Sequence, residues 1–187
     1  LLFKWLQAGV FKLLGISEFT SKLLSGLMGC GTIFLLFWFG ALFFSVWIGF
    51  FAGLFLLISP RFMIHSSLCL LDIPILFFIS LAIFSGIYAA EKNKFFYLLF
   101  GLGTGAALLT KGAFGLLPIP VMIGHLVFSK KWREFYFPFF LSGIATILGM
   151  IWLYNWLLSL HHPGITLVNF WRTQGYAPNP NYGFYFN

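Results

Sequence analysis

"LLSGLMGCGTIFLLFWFGALFFSVWIGFFAGLFLLISP", residues 23–60, runs for 38 positions without an Asp, Glu, Lys or Arg. A helix that crosses a bilayer needs about 17 to 25 mainly apolar residues. The run therefore holds two crossings, joined by a tight turn near "FGALFFS" (39–45). Outward from it, charge-free stretches recur at 73–90, 95–110, 112–129 and 135–160. Each is long enough for one crossing, 95–110 only just. The expected spans are 23–40, 44–59, 74–88, 96–110, 115–128 and 136–158.

Composition agrees. The chain is 60% hydrophobic, 22% aromatic and 8% charged, whereas soluble domains carry about 25% charged residues. An ordinary soluble globule is excluded. The fold class is all-α: a polytopic integral membrane protein of about six transmembrane helices. The net charge of +7 comes from basic residues scattered in ones and twos between spans. Lipid headgroups and the positive-inside bias account for that distribution, and nucleic acid is not an expected partner. Cys30 and Cys69 form no metal-ligand spacing.

"LLFKWLQAGVFKLLGISEF" precedes the long run, with apolar residues at helical spacing, Lys4 and Lys12 eight apart and Trp5 beside the first. It reads as an amphipathic helix lying in the membrane interface. Gly15 ends it, and Ser17 or Thr20 caps the next helix. The expected division is an interfacial helix over 1–17, transmembrane helices over 18–160, and the start of a periplasmic loop over 161–187. The chain starts with Leu and is read as a fragment.

Counting spans sorts the loops. "SPRFMIHSSLCLLD" (59–72), "TKG" (110–112) and everything after Ser159 share one side with the opening helix. "AAEKNK" (89–94) and "SKKWRE" (129–134) share the other. The second side holds Lys92, Lys94, Lys130, Lys131 and Arg133; the first, outside the opening helix, holds Arg61, Lys111 and Arg172. Short loops rich in Lys and Arg face the cytoplasm, so the first side is expected to be periplasmic or lumenal. Gly101, Gly103 and Gly105 with Ala106 and Ala107 form a small-residue surface for close helix packing rather than a phosphate-cradling loop.

Isolated ionisable residues inside membrane segments are costly and usually paired. Asp72 starts the third span, with Pro74 just inside it. It serves either as a helix cap or as the partner of Lys111, on the same side. Lys111 in turn is either half of a structural ion pair or part of an anion pocket for a phosphate. Arg61 either snorkels to headgroups or contacts phosphate. His65 is a hydrogen-bonding loop residue or a titrating group. "LHHPG" places His161 and His162 before a Pro-Gly turn, and His125 lies inside a span, where an interhelical hydrogen bond is the default. In the tail, Trp171, Tyr176 and Tyr182 either stack on a sugar or anchor at the interface.

Three stretches, in order, resemble bacterial members of the protein mannosyltransferase and aminoarabinose transferase group, membrane glycosyltransferases of the GT-C type (glycosyltransferase family 39). They are "LLFKWLQAGVFKLLGISEFTSKLLSGLMG", "ISPRFMIHSSLCLLDIPILFFISLAIF" and "LLFGLGTGAALLTKGAFGLLPIPVMI". The last is the most specific, resembling a "GLALGLAxLTKGPxGLxLP" segment. The likeness covers residues 1 to about 165. Asp72 and Lys111 match the aspartate and lysine of the group, Pro118 or Pro120 the closing proline, and "HHPG" the start of a large periplasmic loop. Lys22 stands where arginine is usual, "SSLCLLD" lacks a frequent arginine, Ala113 replaces a frequent proline, and "FWRTQ" differs from the Glu-His pair of many aminoarabinose transferases.

The resemblance implies an inverting glycosyltransferase using a polyprenyl-phosphate sugar, with a lipid (lipid A-like) or protein acceptor. The implied setting is the bacterial inner membrane with a periplasmic active face. The acidic residue that acts as general base on the acceptor hydroxyl is expected upstream of Leu1, so no catalytic residue is assigned within the chain. Lys111, Asp72, Arg61, Arg172 and Lys4 are the candidates for holding or positioning the donor phosphate; His161, His162 and His65 form a possible periplasmic-loop site. No metal site is assigned, although a divalent metal stays open as cofactor. Two alternatives rest on the same residues. A transporter or permease would use Asp72 and Lys111 on its substrate path, but no internal repeat is visible. A non-catalytic membrane assembly subunit would bind no lipid phosphate.

Overall fold

The computed structural model describes residues 2–131 and 138–161. Among these, all regular structure is helical: α1 (Leu2–Leu14), α2 (Glu18–Phe43), α3 (Val46–Ile58), α4 (Pro60–Ser66), α5 (Asp72–Glu91), α6 (Phe96–Lys111), a 3₁₀ segment (Gly112–Leu116), α7 (Pro118–Phe128) and α8 (Pro138–His161). Gly15 sits at φ +80°, a conformation that favours glycine, and so separates α1 from α2. Ser17 then caps α2, accepting from the Thr20 amide while the Thr20 hydroxyl accepts from the Ser17 amide. The expected apolar turn in the long run is present at Phe44–Ser45, where Ser45 caps α3.

The membrane class holds, with a smaller count than expected. Among the described residues, three helices are long and apolar enough to cross a bilayer: α2, α5, and α6 with its 3₁₀ extension. A fourth results if α3 and α4, bent by 70° at Ser59–Pro60, form one broken crossing. The segment 59–72 is thus not the plain loop expected, because Pro60 opens a short helix where its missing N–H costs nothing. α7 and the apolar stretch Leu141–Trp156 of α8 are shorter. Much of the outer surface is apolar: Trp47, Phe55, Phe34 and Trp152 are all more than 60% exposed. Patches of that kind suit hydrocarbon rather than water.

The interior is built by close backbone approach. A Cβ added at Gly101 would run into the backbone of Gly143 on α8, and one at Gly103 would meet the backbone of Ala82 on α5 at 3.0 Å. The small-residue surface of α6 therefore packs on two neighbours at once. Around it, Ala82, Ala89, Ala90, Tyr97, Phe100, Met122 and Leu126 join α5, α6 and α7 in one buried cluster. A second cluster joins Phe3, Met28, Phe62 and Ile73 from α1, α2, α4 and α5. A third, smaller one links α6 and α8 through Leu109 and Tyr154.

Candidate functional site

α5 and α6 run antiparallel, which brings the first residue of one beside the last residue of the other. Lys111 Nζ donates to Asp72 Oδ1 at 2.5 Å. The second carboxylate oxygen, Oδ2, lies 3.0 Å from His65 Nδ1 on α4, where a ring N–H can donate to it. Both oxygens of Asp72 are thus engaged. This excludes the capping role: Leu71 is the N-cap of α5 and no side chain caps it. Asp72 and Lys111 are each 42% exposed at the side chain, so water screens the pair and its own contribution to stability is modest.

Gly112 lets the chain turn directly after Lys111, at φ +64°. The 3₁₀ segment then folds back so tightly that a Cβ at Gly115 would collide with the α6 backbone at Ala107 and Leu108. This return sets Phe114 beside the lysine, with its ring centroid 5.9 Å from Nζ.

Arg61, His65, Asp72 and Lys111 line a cavity of about 660 Å³ shared by α3, α4, α5 and the 3₁₀ segment. Its apolar wall includes Leu56, Ile75, Leu76, Ile79, Phe114 and Leu117. Asp72, Ile75, Leu76 and Ile79 follow helical spacing on one face of α5. At 1.5 Å per residue that wall extends about 10 Å from the ion pair. Arg61 is exposed and makes no hydrogen bond or ion pair among the described residues. Arg61 and Lys111 place two positive charges against the one negative charge of Asp72. The cavity is therefore an amphipathic groove with a cationic end, suited to an anionic head on an apolar tail.

Comparison with protein families matches residues 1–157 to the family described as dolichyl-phosphate-mannose-protein mannosyltransferase. The chain belongs to this family. Membership in the dolichyl-phosphate-mannose-protein mannosyltransferase family implies a membrane glycosyltransferase that depends on a polyprenyl-phosphate sugar. Together with the apolar helices, it makes the protein an integral membrane one. No curated protein and no solved structure matches the chain.

Of the residues expected to hold or position the donor phosphate, the structure brings together Lys111, Asp72 and Arg61, and it sets beside them His65, expected in the periplasmic-loop site. Lys4 is exposed on α1 and does not line the groove. Lys22 pairs instead with Glu18 one helical turn away, at 2.5 Å. Arg172, His162 and the tail aromatics Trp171, Tyr176 and Tyr182 lie outside the described residues, as does the side chain of His161. Among the described residues, no group of three or more His, Cys, Asp or Glu gathers as metal ligands.

A second charged cluster lies at the other end of α5. Lys131 Nζ is 2.7 Å from Glu91 Oε2 and donates to the Ala90 carbonyl at 3.1 Å. His125 Nε2 lies 3.4 Å from Glu91 Oε1, yet it is buried without a hydrogen-bond partner among the described residues. Among the described residues His125 thus makes no hydrogen bond of good geometry, and it stands as an electrostatic neighbour of Glu91 between α7 and α5. Sequence reasoning missed Glu91, although loop parity puts it on the same side as Lys131 and could have paired the two.

Proposed function

We propose that the groove beside α5 holds the polyprenyl-phosphate sugar, with the phosphate at Lys111 and Arg61 and the prenyl chain along Ile75, Leu76 and Ile79. One observation carries this reading: Arg61, without a partner among the described residues, and Lys111, paired with Asp72, stand at the head of an apolar wall. Asp72 braces the lysine, and the ammonium keeps spare N–H donors for a phosphate oxygen. In the transfer, the acceptor hydroxyl oxygen bonds to the anomeric carbon as the bond from that carbon to the phosphate oxygen breaks. The phosphate leaves with the electron pair, and the configuration inverts. The acceptor's proton passes to a base that is not assigned among these residues. Cations at the departing phosphate stabilise the charge that develops there.

The finer reading continues the same proposal. The acceptor is a lipid A-like lipid or a protein, the active face is periplasmic, and α1 lies in the interface on that face. α7 and α8 complete a six-span bundle, which fits the cationic segments left on the opposite side. A transporter reading gains no specific observation, because Asp72 and Lys111 sit at helix ends and are paired with each other.

Lys111→Ala tests the assignment in the full-length protein, assayed in vesicles with a polyprenyl-phosphate sugar. Transfer is expected to fall by about 100-fold or more, with membrane insertion unchanged. Undiminished transfer would remove the assignment.

A further inference from the structure

α1 contributes no residue to the groove, yet its first turn touches the supports of both charged partners. Phe3 is 2% exposed and belongs to the buried cluster with Phe62 and Ile73. Phe62 follows Arg61 in α4, and Ile73 follows Asp72 in α5. Leu2, beside it, packs on the cluster of Leu109 and Tyr154, two residues from Lys111. Farther along α1, the Gln7 side-chain amide donates to Cys69 Sγ at 2.8 Å and to the Ser21 carbonyl at 3.3 Å. It thereby ties α2 to the segment that leads into Asp72. Ser25 on α2 adds a hydrogen bond to the Leu70 carbonyl at 3.3 Å.

A surface helix held only by the bilayer would need none of these contacts. At the far end of α1 the apolar residues are open instead: Leu13 and Leu14 are 84% and 61% exposed. Burial in α1 is concentrated at Phe3, in the cluster that holds Phe62 and Ile73. We infer that Phe3 and Gln7 are positioning residues for the Asp72–Lys111 pair. Phe3 wedges the N-terminal end of α5 against α4, and Gln7 fixes the approach of the chain to Asp72. The inference rests on the groove being the donor site.

Such residues should alter the rate of transfer rather than the affinity for donor, since they touch neither head nor tail of the bound molecule. The test measures kcat and donor KM for Phe3→Ala, Phe3→Leu, Gln7→Ala and Lys111→Ala in the full-length protein in vesicles. Small misplacements of catalytic groups cost up to about 100-fold in rate. Phe3→Ala is expected to lower kcat about 10- to 100-fold while donor KM stays within about threefold of the parent. Phe3→Leu, which refills the cluster, should recover most of that loss. Gln7→Ala should lower kcat in the same direction, and it leaves every buried apolar side chain in place should Phe3→Ala fail to fold. Parental kcat in Gln7→Ala, or a Phe3→Ala effect that lies wholly in KM, overturns the inference. If Lys111→Ala itself keeps full activity, the groove assignment fails instead.

Discussion

At the scale of single residues, the two cations of the groove are not equivalent. Lys111 is held by a carboxylate that also faces His65, so its position is defined before any ligand arrives. Arg61 carries its charge on a short helix with no partner among the described residues. An unpaired guanidinium offers a planar, bidentate contact to phosphate, and its loss should be felt mainly as weaker binding. Arg61→Ala is expected to raise donor KM about tenfold with a smaller change in kcat, a pattern opposite to that of Phe3→Ala. Steady-state kinetics on the same donor distinguishes them, and an unchanged KM would return Arg61 to a headgroup contact. The meeting of Asp72 with Lys111 is legible in the sequence, because both are lone charges assigned to one side. The hydrogen-bonding reach of His65 is not, since it depends on a helix inside a segment that looks like loop.

At the scale of elements, α6 sets the spacing of its neighbours. Its glycines leave no room for a side chain against Gly143 and Ala82. Gly101→Ala should therefore lower thermal stability in detergent by about 1–3 kcal/mol, as overpacked positions do. Gly124 on α7 has nothing within 4 Å of the place a methyl would occupy. Gly124→Ala should leave stability unchanged or raise it by up to about 1 kcal/mol, through helix propensity alone. Equal losses in the two variants would refute packing as the cause. The glycine surface is visible in the residue pattern; which neighbours it meets is not. Phe3 and Phe19 illustrate the limit. Both are apolar residues near the start of the chain, yet one is 2% exposed and the other 71%. Hydrophobic pattern alone does not say whether an apolar residue meets protein or lipid, because both environments reward it equally.

For the whole molecule, charge is sorted to the two ends of α5. Asp72, His65 and Lys111 gather at one, Glu91, His125 and Lys131 at the other. The grouping matches the loop parity read from span counting, although only three or four of the described helices meet the length of a crossing. The shortfall arises in α3, which reaches a crossing only if joined to α4, and in α7 and α8. In the latter two, the expected runs 115–128 and 136–158 are shared with a 3₁₀ segment and with undescribed residues. Sidedness is testable with Cys69, one of the two native cysteines, once Cys30 is replaced by Ser throughout. Cys69 is exposed, on the segment that precedes Asp72. A membrane-impermeant maleimide applied from outside should label it in intact cells, while Asn93→Cys in a Cys69→Ser background should react only after permeabilisation. The reverse pattern would invert the proposed orientation.

The bend between α3 and α4 has a consequence for exchange. α3 and α4, bent by 70°, line the groove together with α5 without covering it, so the space beside Ile75 and Ile79 has no lid among the described residues. A hydrocarbon guest could slide in from the side, with its polar head travelling at a constant depth, and leave by the same route. Loading and unloading would then be acts of lateral diffusion in the plane of the bilayer. The fluidity of the surrounding lipid, rather than the opening of a gate, would set how quickly one guest replaces another.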